Sequence, residues 1–292
     1  MQQGTILVDL RFLKNRKKEL AGMNTGKNGA PFEYSEGLIQ YAGTVRCMFR
    51  LPYRQTQGLL LGIAQKVPEL TAPCYTQIQR RFNKLSVRIQ PKKSTDALWV
   101  AVDASGISVT NRGEWMRKIH RKGRINECRG FLKIHVAVDV HSQEVVAIEV
   151  TQEKTGDNAM LKPLLVQTVQ NTGKKINHVF GDGGYDTYDN FETLEQIGIK
   201  PIIRIDDNAI TDPPPKNFIH RNRPEPVRRK YAREQLSDRK KWKKNTAYGL
   251  RWLVETFFSV FKRRHGEYAM AKKFQNMQHE LCFKAQLYNQ LL

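Results

Sequence analysis

The stretch Leu98-Trp99-Val100-Ala101-Val102-Asp103-Ala104-Ser105-Gly106 is a short apolar run that ends in a carboxylate and then in small residues. Such a run, bounded by turn formers, reads as a buried strand. A second strand is expected just past the break, around Ile107 to Thr110. Working outward, a basic loop spans Arg112 to Arg129. Leu132 to Val140 and Val145 to Val150 read as strands joined through His141-Ser142-Gln143. Asp157 reads as the cap of a helix carrying Met160, Leu161, Leu164, Leu165 and Val169. Ile176 to Phe180 is a strand leading to Asp182. Thr187 then begins a helix with Phe191, Leu194 and Ile197, and Pro201 to Ile205 is one more strand.

Adjacent strands followed by helix–strand alternation predict an α/β fold, a mixed sheet with helices packed on it. This is the arrangement of a ribonuclease H-like catalytic core, although several topologies share the pattern. The core is expected over 96–292, after a linker at 87–95. A basic, proline-rich insertion at 207–245 interrupts it, where Pro213, Pro214, Pro215, Pro224 and Pro226 exclude a long regular element.

Upstream, residues 1–34 are basic and polar and predict a loosely ordered arm. Residues 35–90 read as an all-α, helix-turn-helix-like bundle. Ser35 caps a helix with Leu38, Ile39 and Ala42, and a second helix starts at Pro52 with Leu59, Leu60 and Ile63. A third carries Tyr75, Ile78, Phe82 and Leu85 at spacings of three and four. Its other face presents Gln77, Arg80, Arg81 and Lys84, residue types suited to phosphates and base edges in a major groove. A solvated helix face is the other reading, and the segment between the second and third helices is longer than a tight turn.

Lys and Arg number 49 against 28 Asp and Glu, a formal charge of +21. That excess favours a polyanionic partner, nucleic acid first; a merely basic or ribosome-associated protein is the alternative. The four cysteines are scattered without a close pair, which argues against a zinc site or a disulfide framework. No uninterrupted apolar run opens the chain. A cytoplasmic, nucleoid-associated protein without a membrane segment is the expectation.

Asp103 and Asp182 both end apolar runs beside small residues. Rigid carboxylates at such positions suit a divalent cation, which needs a few fixed oxygens and keeps sites for water and phosphate. Each alone could equally be a turn carboxylate. In the segment from Ala247 to Arg264, at about 100° per residue, Tyr248, Arg251, Glu255, Ser259 and Lys262 share one arc of roughly 80°. Leu253, Val254, Phe257, Val260 and Phe261 take the opposite side. An Arg251–Glu255 ion pair would explain the charges, but not Tyr248 and Lys262 on the same line. His135 and Asp139 read as structural or hairpin-end residues, His265 as a helix-end cation, and Trp252, Phe257 and Phe258 as core.

The spacing of Tyr248, Arg251, Glu255 and Lys262 resembles the signature of DDE transposases of the IS4/IS5 insertion-sequence group. Asp182-Gly-Gly-Tyr185-Asp186 and Val-Asp103-Ala-Ser resemble that group's motifs around its first two acidic residues. Leu51-Pro-Tyr-Arg-Gln-Thr-Gln57 resembles the N-terminal region of IS5-like members, and the likeness covers roughly residues 35 to 285. The resemblance implies a catalytic triad of Asp103, Asp182 and Glu255 holding two Mg²⁺ ions, with Mn²⁺ able to substitute. It implies cleavage of transposon ends and strand transfer into target DNA, with Arg251 and Lys262 on the phosphate backbone and Tyr248 and Tyr185 against DNA. The implied partners are double-stranded DNA, as terminal inverted repeats and target, and a second copy of the chain on that DNA. A catalytically silent DNA-binding relative and a structure-selective nuclease with the same core remain as alternatives.

Overall fold

A computed structural model describes residues 10–93, 97–109, 131–211 and 226–292. In chain order the elements are α1 (Phe12–Asn24), α2 (Glu36–Phe49), α3 (Tyr53–Ala64) and α4 (Tyr75–Phe82), then β1 (Ala97–Val109), β2 (Phe131–Asp139) and β3 (Val145–Gln152). Next come α5 (Leu161–Thr172), β4 (Lys175–Gly181), α6 (Tyr188–Gln196) and β5 (Lys200–Ile203). The helices α7 (Val227–Ser237), α8 (Arg239–Asn245), α9 (Trp252–His265) and α10 (Phe274–Leu291) follow. Contacts divide the chain into one unit of Met1–Arg88 with Phe261–Leu292 and another of Ile89–Val260.

In the second unit five strands lie in the order β3-β2-β1-β4-β5. β1, β2 and β3 pair antiparallel, whereas β4 runs parallel to β1 and β5 parallel to β4. Parallel neighbours need long crossovers, and α5 and α6 provide them. This is the mixed α/β sheet of ribonuclease H-like order expected from the sequence. Leu98, Val100 and Val102 of β1 join Leu161, Leu164, Leu165, Phe191 and Leu194 in one core cluster. The near-continuous apolar character of β1 and β2 thus reflects a sheet covered on both faces.

Three local expectations need correction. β1 is one strand of thirteen residues, not two. Ala104, Ser105 and Gly106 stay in the ladder opposite His135, Ile134 and Lys133, because small residues do not break a strand whose backbone groups find partners. Asp157 makes no capping bond; its Oδ1 accepts from Lys133 Nζ at 2.8 Å, and a 3-10 turn at Asn158–Met160 leads into α5. The cationic stretch forms α7 and α8 once the prolines end, with Pro226 at the N-cap of α7, where its missing N–H costs nothing. Residues 212–225 of that insertion, including Lys216, Arg221 and Arg223, lie outside the described residues, as does the basic loop at 110–130.

The helical unit corrects the arm at 1–34, whose residues 1–9 lie outside the described set. Phe12–Asn24 is a helix, and it docks because Phe12 stacks on Tyr41 with centroids 5.1 Å apart while Glu19 accepts from the Gly37 N–H. Ser35 caps α2 as expected, accepting from Leu38 N at 3.3 Å. α10, expected within the catalytic domain, belongs to this unit. Phe283 and Leu287 pack with Ile39, Cys47 and Phe82, and Glu280 stands 3.2 Å from Arg46 and 2.9 Å from Lys284, each side chain 1% exposed. Charges so deeply buried hold only as a set, since removing one strands the others.

α2 and α4 approach closely at Gly43, where a Cβ would collide with the Phe82 ring. Gly43→Ala should therefore lower stability by about 1–3 kcal/mol, read as a fall in the urea unfolding midpoint. An unchanged midpoint would contradict this packing.

Candidate active site

The ladder between β1 and β4 ends at Ala101 opposite Phe180. Asp103 stands two residues further along β1, and Asp182 two residues past Phe180, just beyond the end of β4. The two carboxylates thus approach one another where β1 loses its β4 neighbour, and the Asp182 charge is felt at Asp103. Asp103 keeps its place on the other side, opposite Val136, which fixes its backbone. Its Oδ1 accepts from Ala104 N at 2.8 Å. Asp182 Oδ1 accepts from Gly184 N, also at 2.8 Å, capping the 3-10 turn Gly183–Tyr185.

Arg251 brings in the third carboxylate. Its Nη2 donates to Glu255, and its Nη1 lies 3.7 Å from Asp103 Oδ2. Burial pushes the Asp103 carboxyl up to about 6, and the charges of Asp182 and Glu255 push it the same way. The Ala104 N–H and Arg251 oppose them. Asp103 is therefore a desolvated carboxylate in the field of two others, which is where a cation is most strongly drawn. Among the described residues no three His, Cys, Asp or Glu side chains stand gathered closely enough to hold a metal ion. The oxygen chemistry fits a hard divalent cation, and Glu255, with a side chain 54% exposed, is not locked in by packing.

The line of residues on one helical wheel is corrected. Tyr248–Arg251 is a 3-10 turn preceded by Ala247 in the left-handed region (φ 53°), and α9 begins only at Trp252. The tighter turn sets side chains three residues apart above one another; burial raises the Tyr248 hydroxyl, and the nearby Arg251 lowers it. The Tyr248 ring lies 5.1 Å from Trp242. Tyr248, Arg251 and Glu255 thus meet Asp103 and Asp182 within the sheet unit, while Lys262, in the last turn of α9, falls in the helical unit.

Other expected residues divide. Tyr185 is 0% exposed and packs in the sheet core, so a direct contact with DNA is replaced by a wedge beneath the Asp182 loop. Trp252 is 56% exposed, not core, whereas Phe257 and Phe258 are buried. His265 is no helix-end cation: burial first, then the charges of Lys284 and Arg264, push it down to about 4. His135 and Asp139 are structural, His135 bonding Thr151 Oγ1 at 2.8 Å and Asp139 accepting from the Ser142 N–H and hydroxyl at the hairpin end. On α4, Gln77 and Arg80 are exposed, as is Lys84 just past its end. Arg81 turns inward, donating to the Tyr34 carbonyl and lying 5.0 Å over the Phe32 ring.

Sequence reasoning missed a clamp behind the second aspartate. Arg228 donates to Asp186 from Nε and Nη2, both at 2.6 Å, and Asp186 also accepts from Asp206 N at 3.1 Å. The adjacent Asp in Asp182-Gly-Gly-Tyr-Asp186 was the available signal; its partner, 42 residues on, was visible only in the fold.

A sheet of ribonuclease H-like order, with Asp103 and Asp182 two residues past the last rung of its central parallel ladder, defines the class of protein. The family described as "Transposase DDE domain" matches residues 95–290, and a second family of that description matches residues 2–112. The chain belongs to the transposase DDE domain family. Among solved structures it is similar to the simian T-cell lymphotropic virus intasome in complex with PP2A regulatory subunit B56 gamma, at 12% identity and a TM-score of 0.28, over 73% of this chain and 65% of that one. It is also similar to the Drosophila P element transposase strand transfer complex, at 10% identity and a TM-score of 0.34, over 96% of this chain and 85% of that one. The chain thus spans about two thirds of the length of the first. No helix among the described residues is long and apolar enough to cross a membrane.

The raised Asp103 carboxyl makes a pH prediction. Relative to the ordinary value of 3.8, the fold favours the protonated acid, so this contribution to stability is present below that value and lost as pH rises through about 6. Asp103→Asn, which carries no charge, should gain on wild type by about 2 kcal/mol between pH 4 and pH 7.5, measured by urea unfolding at both. An equal difference at the two pH values would mean that Asp103 is not desolvated.

Proposed function

We propose that this chain is an insertion-sequence transposase of the IS5-like subgroup, cutting transposon ends and joining them to target DNA. The observation that carries the reading is that Asp103 and Asp182 each lie two residues past the last rung of the parallel β1–β4 ladder, with Glu255 paired to the same Arg251 that lies beside Asp103. Asp103, Asp182 and Glu255 are the residues that would hold two Mg²⁺ ions. When bound, such a pair activates an attacking oxygen and stabilises the leaving oxygen of an in-line displacement at phosphorus. Water would be the first nucleophile and the freed 3′-hydroxyl the second.

The chain's own residues supply position and charge. Asp103 and Asp182 are fixed by the sheet and by their bonds to Ala104 N and Gly184 N. Arg251, once Glu255 turns away from it, presents a guanidinium fork to a phosphate beside the acids. Tyr248 holds Arg251 from behind and offers a ring edge to DNA. Lys262 belongs to the same signature and is assigned to the phosphate backbone. The exposed Gln77, Arg80 and Lys84 of the helical unit are assigned to recognition of the terminal inverted repeats, with base readout from Gln77 and Arg80 and phosphate contact from Lys84. Two ends must be held together for joining, so the working form is a homodimer on DNA.

The test is Mg²⁺-dependent cleavage of labelled DNA carrying the element's own ends. Wild type should nick at the ends, and Glu255→Gln should bind the same DNA while cutting slower by about 10³-fold or more, the scale of losing an electrostatic group preorganised at the reacting centre. Equal cutting by both proteins would overturn the triad. Binding without cutting by wild type would replace this reading with that of a silent DNA-binding relative, and cutting without joining would replace it with a nuclease.

A further inference from the structure

The β4–β5 ladder ends at Gly181 opposite Ile203. The next residue on each strand is Asp182 and Arg204, and Arg204 N donates to the Gly181 carbonyl at 3.3 Å. Asp182 and Arg204 therefore follow directly on the ends of β4 and β5, next to the point on β1, near Asp103, where the β1–β4 ladder has stopped: two acids and then a cation. Ligands of open α/β sheets bind outside the carboxyl ends of their strands, and neighbouring strands stand about 4.8 Å apart. Arg204 is thus one strand spacing from the second acid.

Arg204 also lines an open cleft of about 490 Å³, together with Gly183, Asp186, Asp206, Asp207 and Arg228. The other charges there are held by the fold. Arg228 is bound twice to Asp186 and lies 5.0 Å over the Tyr188 ring. Asp206 Oδ1 accepts from Asn208 N at 2.9 Å. Asp207 is gripped by Arg239 at 2.5 Å. Arg204 reaches Asp207 only at 3.5 Å, and its side chain is 52% exposed. Of the two lining cations, Arg228 is locked to Asp186, and Arg204 is the one on a loose tether. An exposed ion pair at that separation contributes little, whereas a guanidinium fork matches two phosphate oxygens.

We propose that Arg204 binds a phosphate of the DNA strand engaged at the Asp103–Asp182–Glu255 site, and that the cleft carries that strand's backbone across the ends of β4 and β5. The inference rests on the DNA phosphoryl-transfer reading but is tested without catalysis. The probe is a duplex of the element's own terminal sequence, with binding by wild type, Arg204→Gln and Arg204→Lys followed across salt concentrations. Arg204→Gln should bind about tenfold more weakly, with a log–log salt slope shallower by about one, and Arg204→Lys should recover the slope. Neutral methylphosphonates placed singly near the cleavage position should include one at which wild type and Arg204→Gln bind alike. An unchanged slope in Arg204→Gln, or no phosphate at which the two converge, would overturn the proposal. Loss of cutting by Glu255→Gln bears on the triad alone, so a failed Arg204 leaves that reading standing. Failure of wild type to bind the duplex would sink both.

Discussion

The feature on which the site depends is the unequal length of two paired strands. β1 runs for thirteen residues and β4 for seven, and their parallel ladder stops at Ala101 and Phe180. Past that point β1 keeps β2 as its neighbour but has lost β4. The gap on the other side is where Asp103 and Asp182 stand. Rigid backbone and open space meet there: the antiparallel ladder fixes Asp103, and the 3-10 turn after β4 lets Asp182 cap its own loop. A longer β4 would fill the notch with ladder, and a shorter β1 would leave Asp103 on a mobile turn.

Electrostatics then explain why these acids call for a compensating cation. A desolvated carboxylate beside two others is costly unless a cation or proton compensates it. Arg251 lies between Asp103 and Glu255 and supplies part of that compensation. The arrangement remains cation-hungry, since the Asp103 carboxyl is still pushed up to about 6. Behind it the Asp186–Arg228 clamp satisfies the neighbouring charges within the fold. Uncompensated charge is thereby concentrated near the ends of the parallel strands, the usual location of function on an open sheet.

Much of this was legible in the sequence because it is local. Apolar runs marked β1, β2, β3, β4 and β5; Ser35 and Thr187 marked helix starts that their side chains do cap; Asp103 and Asp182 were visible as acids at the ends of those runs. What escaped was set by tertiary partners. Ala104-Ser105-Gly106 looked like a break but is held in strand by β2. The basic N-terminal stretch looked loose but gains a partner for Phe12 in Tyr41. Tyr185 and Trp252 exchanged places, the tyrosine buried and the tryptophan exposed, because only the folded chain sets what each ring packs against. Arg204 carries no motif; only the register of β5 against β4 sets it beside Asp182.

The most direct measurement is a crystal structure of the protein with Mn²⁺ and a duplex of the element's cleaved end, read by anomalous scattering. The account predicts an anomalous peak bridging Asp103 and Asp182, with the Glu255 carboxylate turned toward it. Mn²⁺ held elsewhere, for instance by Asp206 and Asp207 with the notch between β1 and β4 empty, would contradict it.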